Sequence, residues 1–456
     1  MARCMSETRP LAAIILAAGK GTRMKSNQHK VLHEVGGRSM IEHLLASVEA
    51  LAPERLVTIV GEAREQLHER LGDRCAFGVQ EPQLGTGHAV QQAEEALAGF
   101  SGDVLVLYGD VPFVSTATMQ AMIDRLNAHD TPSSVVLGFE PDDPLRYGRV
   151  IAQQGRILKM VEWKDANEEE RACTLCNSGL LAARAEDLFA LLARVQNNNA
   201  QDEYYLPDIV NIAIADGQTC AVVNTPRPAE VTGINSRAEL AAAEAQWQEF
   251  KRAEAMEAGV TLRAPSTVFF SWDTELAADV VVEPNVVFGP GVVVASGAYI
   301  KAFSHLEGAT VGEDVEVGPY ARLRPGAVLE KGSKVGNFVE IKKATLGEGA
   351  KASHLSYLGD ATVGAGANIG AGTITCNYDG YFKHKTVIGE RAFIGSNSAL
   401  IAPLNIGADA IVAAGSAVSR DVSAGELRMV RAEQMVKPGW ADRFHDAMKK
   451  KKAGGK

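Results

Sequence analysis

The chain has 456 residues, 46% hydrophobic and 22% charged, which is enough for two or three domains with large cores. Its formal charge of -10 excludes a protein that holds nucleic acid on a uniformly basic surface. No apolar run reaches bilayer length, and the stretch MARCMSETRPLAAIILAAG lacks a signal-peptide cleavage pattern, so a cytoplasmic protein with no membrane span is expected. Cys4, Cys75, Cys173, Cys176, Cys220 and Cys376 are scattered, with one isolated Cys173-x-x-Cys176 pair, and read as reduced thiols rather than a zinc site.

In chain order, a strand-like run at 12–16 leads into LAAGKGTRM (16–24), whose spaced glycines suit a loop that approaches phosphate. Two familiar phosphate motifs do not fit. A dinucleotide fingerprint needs a third glycine where Met24 stands, and a P-loop needs a Gly-Lys-Ser/Thr that is absent at that spacing. Helical patterns at 40–51, 64–71, 88–97 and 116–127 then alternate with strand patterns at 56–61, 104–108 and 134–139. Such alternation predicts an α/β, Rossmann-like domain with a mainly parallel sheet covered on both faces. The stretch 236–258, SRAELAAAEAQWQEFKRAEAMEA, has neither Gly nor Pro and predicts a connecting helix closed by Gly259.

Beyond Gly259 the period becomes six. Stepping by six from Val281 to Ile341 gives nine aliphatic residues in eleven, with Tyr299 and His305 the exceptions. A second series, Ile388, Ile394, Leu400, Ile406, Val412 and Val418, is aliphatic throughout. A helix repeats near 3.6 and a half-buried strand near 2, so six predicts a left-handed parallel β-helix of hexapeptide repeats, the aliphatic position pointing inward. GTITCNYDGYFKHKT (372–386) breaks the period and is expected to form a loop outside the coil. The end, RFHDAMKKKKAGGK, reads as a solvated, disordered basic tail. The predicted domains are thus 1–237, a helical linker 238–258, and 259–456.

Leu16, Gly19, Gly21, Thr22, Arg23, Met24 and Lys30 together resemble the signature of the sugar-nucleotide pyrophosphorylases, departing from it at His29, where that family usually has proline. Backbone N–H groups and Arg23 can cradle a triphosphate, and Lys30 can offset charge at the attacked phosphorus. Asp110 closes the strand-like run DVLVLYGD, where ligands of open parallel sheets sit, and a carboxylate there can hold Mg²⁺. The resemblance adds Asn235 as a second metal ligand and Gln80, Gln83, Gly85 and Thr86 as a uracil-recognising loop. It implies that Leu16, Ala17, Ala18, Gly19, Tyr108 and Gly109 also line the nucleotide site, with Gly148, Glu162 and Asn177 holding N-acetylglucosamine.

NFVEIKKATLGEGAKASHLSYLGD (337–360) and NIGAGTITCNYDG (368–380) resemble the acetyltransferase half of the family of bacterial bifunctional N-acetylglucosamine-1-phosphate uridylyltransferases/glucosamine-1-phosphate N-acetyltransferases. The resemblance covers almost the whole chain in the same domain order. It implies that His354 is the base for acetyl transfer, a task suited to imidazole. Arg324 and Lys342 would pair with the sugar phosphate, and Tyr357 and Asn368 would hydrogen-bond the glucosamine. Asn377 and Tyr378 can also reach the sugar and, with Ala371, Lys383, Ser396, Ala414 and Arg431, occupy acetyl-coenzyme A positions. His305 is assigned no chemistry. The implied product is UDP-N-acetylglucosamine, a precursor of peptidoglycan and lipopolysaccharide, made by a homotrimer with acetyl sites shared between subunits. Two rivals stay open on the residues alone: a pyrophosphorylase for another nucleotide sugar whose β-helix serves only assembly, and a non-catalytic exchange or scaffold protein.

Overall fold

A computed structural model describes residues 9–144, 147–199 and 201–454. It divides into two compact units, Met1–Trp247 and Gln248–Lys456. Cys4 lies outside the described residues, and the other five cysteines are free thiols. Among the described residues no helix is long and apolar enough to cross a membrane.

The first unit is built on nine strands: β1 (Leu11–Ala17), β2 (Arg55–Val60), β3 (Ala76–Val79), β4 (Asp103–Tyr108), β5 (Ser134–Phe139), β6 (Arg149–Gln153), β7 (Arg156–Val161), β8 (Cys176–Arg184) and β9 (Cys220–Asn224). They form one sheet in the order β3-β2-β1-β4-β8-β5-β9-β7-β6. β1 is parallel to β2 and β4, β2 to β3, and β5 to β9, whereas β8 runs antiparallel to both β4 and β5. The sheet is therefore mainly parallel, with β8 reversed at its centre and β7 reversed near its edge, which the sequence pattern does not announce.

Side chains of β1 alternate between two cores. Ala12, Ile14 and Leu16 pack with Ala89, Leu188 and Ile209, while Ala13, Ile15 and Ala17 pack with Leu44, Leu67 and Met122. A strand buried on both faces reads as an unbroken apolar run, which is how 12–16 looks in the sequence. The helix expected at 88–97 is shorter, Thr86–Gln91, and continues as turns. The helix Arg237–Glu257 occupies the Ala/Glu-rich stretch, and Gly259 after it takes a positive φ of 94°.

The second unit is a stack of short parallel strands, ten in one sheet and fourteen in another, the arrangement of a parallel β-helix. Successive coils are eighteen or seventeen residues apart, as in Val282↔Ile300 and Val294↔Val311. The inward positions correct the first hexad series. Val293 is 42% exposed whereas Val294 is 1% exposed, and Val282, Phe288, Ile300 and Leu306 are the buried members of their coils. From Val311 onward the buried positions coincide with the series as read: Val317, Leu323, Leu329, Val335 and Ile341. The step from Leu306 to Val311 is five, not six, so one short corner moves the phase by one and turns Val281, Val287, Val293, Tyr299 and His305 to the other side of the strand. Tyr299 and His305, the two misfits, are outward for this reason.

The insertion behaves as expected. Val363 pairs with Ile388, twenty-five residues on, and the surplus forms a turn in which Tyr381 and Phe382 are exposed. The C-terminal expectation is overturned: Trp440–Gly454 is an α-helix, with Trp440 and Phe444 stacked at 5.2 Å. Ala, Met and Lys carry enough helix propensity to form it although none of its residues is buried.

Candidate active sites

In the first unit the site forms where β1 and β4 end together, with Leu16 opposite Tyr108. The Gly109 N–H continues the ladder onto the Leu16 carbonyl (2.9 Å), which delivers Asp110 beside the start of the glycine loop. Gly21 has a φ of +59°, and a Cβ there would lie 2.6 Å from the Lys30 Cβ. Glycine is thus required both by the left-handed backbone and by the close passage of Lys30. Met24 is buried with Val35, Met40 and Ile234, pinning the loop, while its neighbour Arg23 is exposed.

Lys30 draws the site together. Its ammonium ion-pairs with Asp110 Oδ2 and donates to Asn235 Oδ1 at 2.7 Å. Asn235 is held in turn because Ile234 N–H donates to the Asp110 carbonyl (2.9 Å) and Asn235 N–H to Glu239 Oε2 (2.6 Å). One carboxylate and one amide oxygen thus converge on a single cationic nitrogen. These are hard oxygen donors of the kind Mg²⁺ takes when substrate phosphates complete its shell. Among the described residues there is no group of three or more His, Cys, Asp or Glu that could hold a metal by itself.

A cavity of about 300 Å³ opens from this cluster, and Gly19, Lys30, Gln80, Gln83, Gly85, Thr86 and Tyr108 line it together with Leu16, Ala17 and Ala18. Gln80 spends its amide N–H on the Gly85 carbonyl (2.8 Å) and His88 Nδ1 (3.2 Å), and the Gln83 amide N–H donates to the Ala18 carbonyl. What remains of Gln80 for a ligand is its carbonyl oxygen, an acceptor, whereas Gln83 keeps one amide N–H and its carbonyl oxygen. Burial pushes the Tyr108 phenol well above its usual range, with Thr86 hydrogen-bonded to it, so it stays protonated.

Gly148, Glu162 and Asn177 meet at a second, smaller recess with Asp208 and Asn211. Asn177 N–H donates to the Gly148 carbonyl (2.9 Å), and a Cβ on Gly148 would sit 3.1 Å from Glu162 Oε1. Burial raises the Glu162 carboxyl above the ordinary range, and the Asp208 and Asp165 charges add to the rise. Sequence reading misses Asp208, Asn211 and Glu203, the last of which also lines the larger cavity. No short motif marks them, because they reach the site only through the fold.

His29, where the resemblance expects proline, has φ −56° and ψ 137°, within the range proline itself adopts. Its N–H donates to Gln66 Oε1 (2.8 Å), a bond proline could not make. The local turn therefore survives the exchange.

In the second unit His354 ends the strand Lys351–His354, with Asn337 directly beneath it in register. The His354 Nδ1 lies 2.6 Å from Asn337 Oδ1. That oxygen can only accept, so Nδ1 carries the hydrogen and the exposed Nε2 keeps its lone pair. Asn337 opens the stretch 337–360, but nothing in the sequence itself pairs it with His354. Above His354 the same corner continues coil by coil: Gly372 N–H meets the His354 carbonyl (3.4 Å), Asn397 N–H the Ala371 carbonyl (2.7 Å), and Gly415 N–H the Ser396 carbonyl (2.8 Å). His354, Ala371, Ser396 and Ala414 thus form one column, and the Arg431 side chain reaches Gly415 at its top.

Around that column, Arg324 and Lys342 stand on adjacent coils, joined by Arg324 N–H to the Ile341 carbonyl (2.9 Å), and the Arg324 guanidinium pairs with Glu340 (2.7 Å). The Tyr357 hydroxyl and the Asn377 amide converge over Gly359, where a Cβ would collide with the first and lie 2.8 Å from the second. Asn368 lies across the corner, on the strand above Lys351. Tyr378 is covered by the Lys383 ammonium 4.5 Å from its ring centre. Their turn is held by Asp379, whose carboxylate accepts from the N–H groups of Tyr381 (2.8 Å) and Phe382 (2.7 Å) and faces His384 (2.6 Å). The Phe382 N–H first, then His384 and the Tyr381 N–H, hold the Asp379 carboxyl far below its usual range.

Comparison with known proteins agrees with both halves. The family model for the MobA-like NTP transferase domain matches residues 13–172. The bifunctional protein GlmU of Sphingopyxis alaskensis is 71% identical over 444 residues, covering 97% of this chain and 98% of its own. The namesake from Novosphingobium aromaticivorans is also 71% identical over 444 residues with the same coverage, and that of Zymomonas mobilis is 54% identical over 451 residues, covering 98% and 100%. Identity at this level along nearly the full length of both partners means that the chain belongs to the bifunctional GlmU family.

Proposed function

We propose that the two reactions of this enzyme are divided between the two sites described above, uridylyl transfer in a domain spanning 1–237 and acetyl transfer in one spanning 259–456, with 238–258 as linker. The protein is a bifunctional acetyltransferase and uridylyltransferase that makes UDP-N-acetylglucosamine. The observation that carries the assignment is the separation itself: Lys30, Asp110 and Asn235 meet in one unit, and His354 meets Asn337 in the other.

In acetyl transfer, Nε2 of His354 takes a proton from the glucosamine-1-phosphate amine as its nitrogen bonds to the acetyl carbonyl carbon of acetyl-coenzyme A. The C–S bond then breaks and the coenzyme thiolate leaves, to be protonated. Asn337 holds the tautomer that makes Nε2 the base. Arg324 and Lys342 anchor the sugar phosphate, Tyr357, Asn368, Asn377 and Tyr378 orient the sugar, and Ala371, Lys383, Ser396, Ala414 and Arg431 receive the coenzyme.

In uridylyl transfer, an oxygen of the N-acetylglucosamine-1-phosphate group displaces pyrophosphate from the α-phosphorus of UTP in line. Arg23 and Lys30 offset the charge that spreads over the phosphates, and the carbonyl oxygen of Gln80 accepts from uracil N3–H, which cytosine lacks. Asp110 and Asn235 would hold Mg²⁺, which supplies phosphate charge neutralisation when bound. We assign a homotrimer and a cytoplasmic location on the family resemblance; light scattering and fractionation test them.

The decisive experiment measures both half-reactions on two variants. His354→Ala should lose acetylation and keep pyrophosphate release from UTP, Mg²⁺ and N-acetylglucosamine-1-phosphate; Asp110→Ala should do the reverse. Loss of both activities in either variant would contradict the division.

A further inference from the structure

Glu203 lines the nucleotide cavity alongside Gly85, Thr86 and Tyr108. Among the described residues its carboxylate has no hydrogen bond or ion pair, although its backbone is firmly placed. Tyr204 N–H donates to the Leu84 carbonyl and Gly87 N–H to the Tyr204 carbonyl, both at 2.8 Å, and Leu206 N–H donates to Thr86 Oγ1 at 3.0 Å. A Cβ on Gly85 would come within 2.6 Å of the Tyr204 carbonyl oxygen and 3.0 Å of the Glu203 Cβ. The absence of a side chain at Gly85 is what lets the 203–206 segment clamp onto the loop and present the carboxylate at a defined place.

A carboxylate is acceptor-only and, without a cation partner such as Asp110 has in Lys30, repels phosphate, so in a cavity that receives a nucleoside triphosphate Glu203 belongs at the end away from the phosphoryl groups. The cation that serves those groups, Lys30, is held by Asp110 and Asn235, whereas Glu203 is seated on the 84–87 loop, whose Gly85 carbonyl holds the Gln80 amide. The donors that UTP offers at the far end are uracil N3–H and the two ribose hydroxyls, and the first is accounted for by the Gln80 carbonyl oxygen. We infer that Glu203 accepts hydrogen bonds from the ribose hydroxyls of UTP and is the residue by which this site selects ribonucleotides. The inference rests on the uridylyl-transfer reading of the cavity.

The test compares pyrophosphate release from UTP and from 2′,3′-dideoxyuridine triphosphate, at saturating N-acetylglucosamine-1-phosphate, in full-length wild type, Glu203→Ala and Glu203→Gln. The wild type should prefer UTP in kcat/KM by tenfold or more, since a site built to pair a hydroxyl rejects the analogue without one. In Glu203→Ala that ratio should fall towards unity through loss on UTP, with little change on the dideoxy substrate. Glu203→Gln keeps an acceptor oxygen of the same reach and should retain part of the preference. It also provides the answer if the alanine variant does not fold, which the acetyl activity of the same preparation reports. An unchanged ratio in the substituted proteins, or a loss confined to the KM of N-acetylglucosamine-1-phosphate, would overturn the inference. A wild type that released no pyrophosphate from UTP would instead overturn the reading of the cavity, and the inference with it.

Discussion

Replacing Asn337 by Leu removes the acceptor that holds the His354 ring and substitutes an apolar group of similar size. The bond in question is a single 2.6 Å contact between the ring Nδ1 and the amide Oδ1 of the coil beneath. A hydrogen bond of this type contributes about 0.5–1.5 kcal/mol net. If that energy is what keeps the lone pair on Nε2 and the ring aimed at the amine, its loss lowers acetyl-transfer kcat by roughly 2- to 13-fold. Asn337→Asp keeps an oxygen acceptor in the same place and should retain most of the activity, whereas Asn337→Leu should not. The assay follows coenzyme A thiol release with glucosamine-1-phosphate, with pyrophosphate release as an internal control that should not move. A leucine variant with unchanged kcat, or an aspartate variant as damaged as the leucine one, would refute the reasoning.

Lys30→Ala should reduce uridylyl transfer by about a hundredfold or more, the scale of losing one preorganised donor at developing charge, and leave acetyl transfer intact; pyrophosphate and thiol assays on one preparation decide it. Gly21→Ala places a Cβ 2.6 Å from the Lys30 side chain at a φ of +59°, so it should destabilise the first unit by about 1–2 kcal/mol and cut uridylyl transfer, measured by denaturant melts and turnover. His29 and His33 are both buried, and burial first, with nearby positive charge second, lowers both imidazoles below their ordinary value. Below the unfolded value of about 6.5 the unfolded chain then binds protons that the fold does not. Stability from these groups is complete above that pH and is lost as pH falls from there towards their depressed values. The melting temperature of the first unit should drop as pH falls below about 6.5, and His29→Leu should flatten that drop; an equally steep drop in the variant would refute the assignment.

Much of this was legible along the chain. An apolar run followed by spaced glycines marks a strand end and a phosphate-approaching loop, and alternating periods mark a covered parallel sheet. The six-residue repeat marks stacked coils, because each of these signals is local and recurs at a fixed interval. The phase of the repeat was not legible near residue 300, since one five-residue step between Leu306 and Val311 reverses which side of the strand faces inward. The Lys-rich end was read by charge alone, and its helix follows from propensity that the charge run obscured. β8 lies between β4 and β5 and runs antiparallel to both, a matter of which distant strands pair rather than of any local pattern.

By itself, then, the amino-acid order determined which kinds of element form, where the glycine loop, the hexads and the off-period loop lie, and which motif residues to suspect. Only tertiary structure decided which side chains meet. Asn337 comes under His354 because one turn of the coil spans seventeen residues, and Glu203 enters the nucleotide cavity because its neighbour Tyr204 pairs with the backbone of the loop at 84–87. Hydrogen bonds and ion pairs act over a few ångströms of space, and folding sets that distance without regard to separation along the chain.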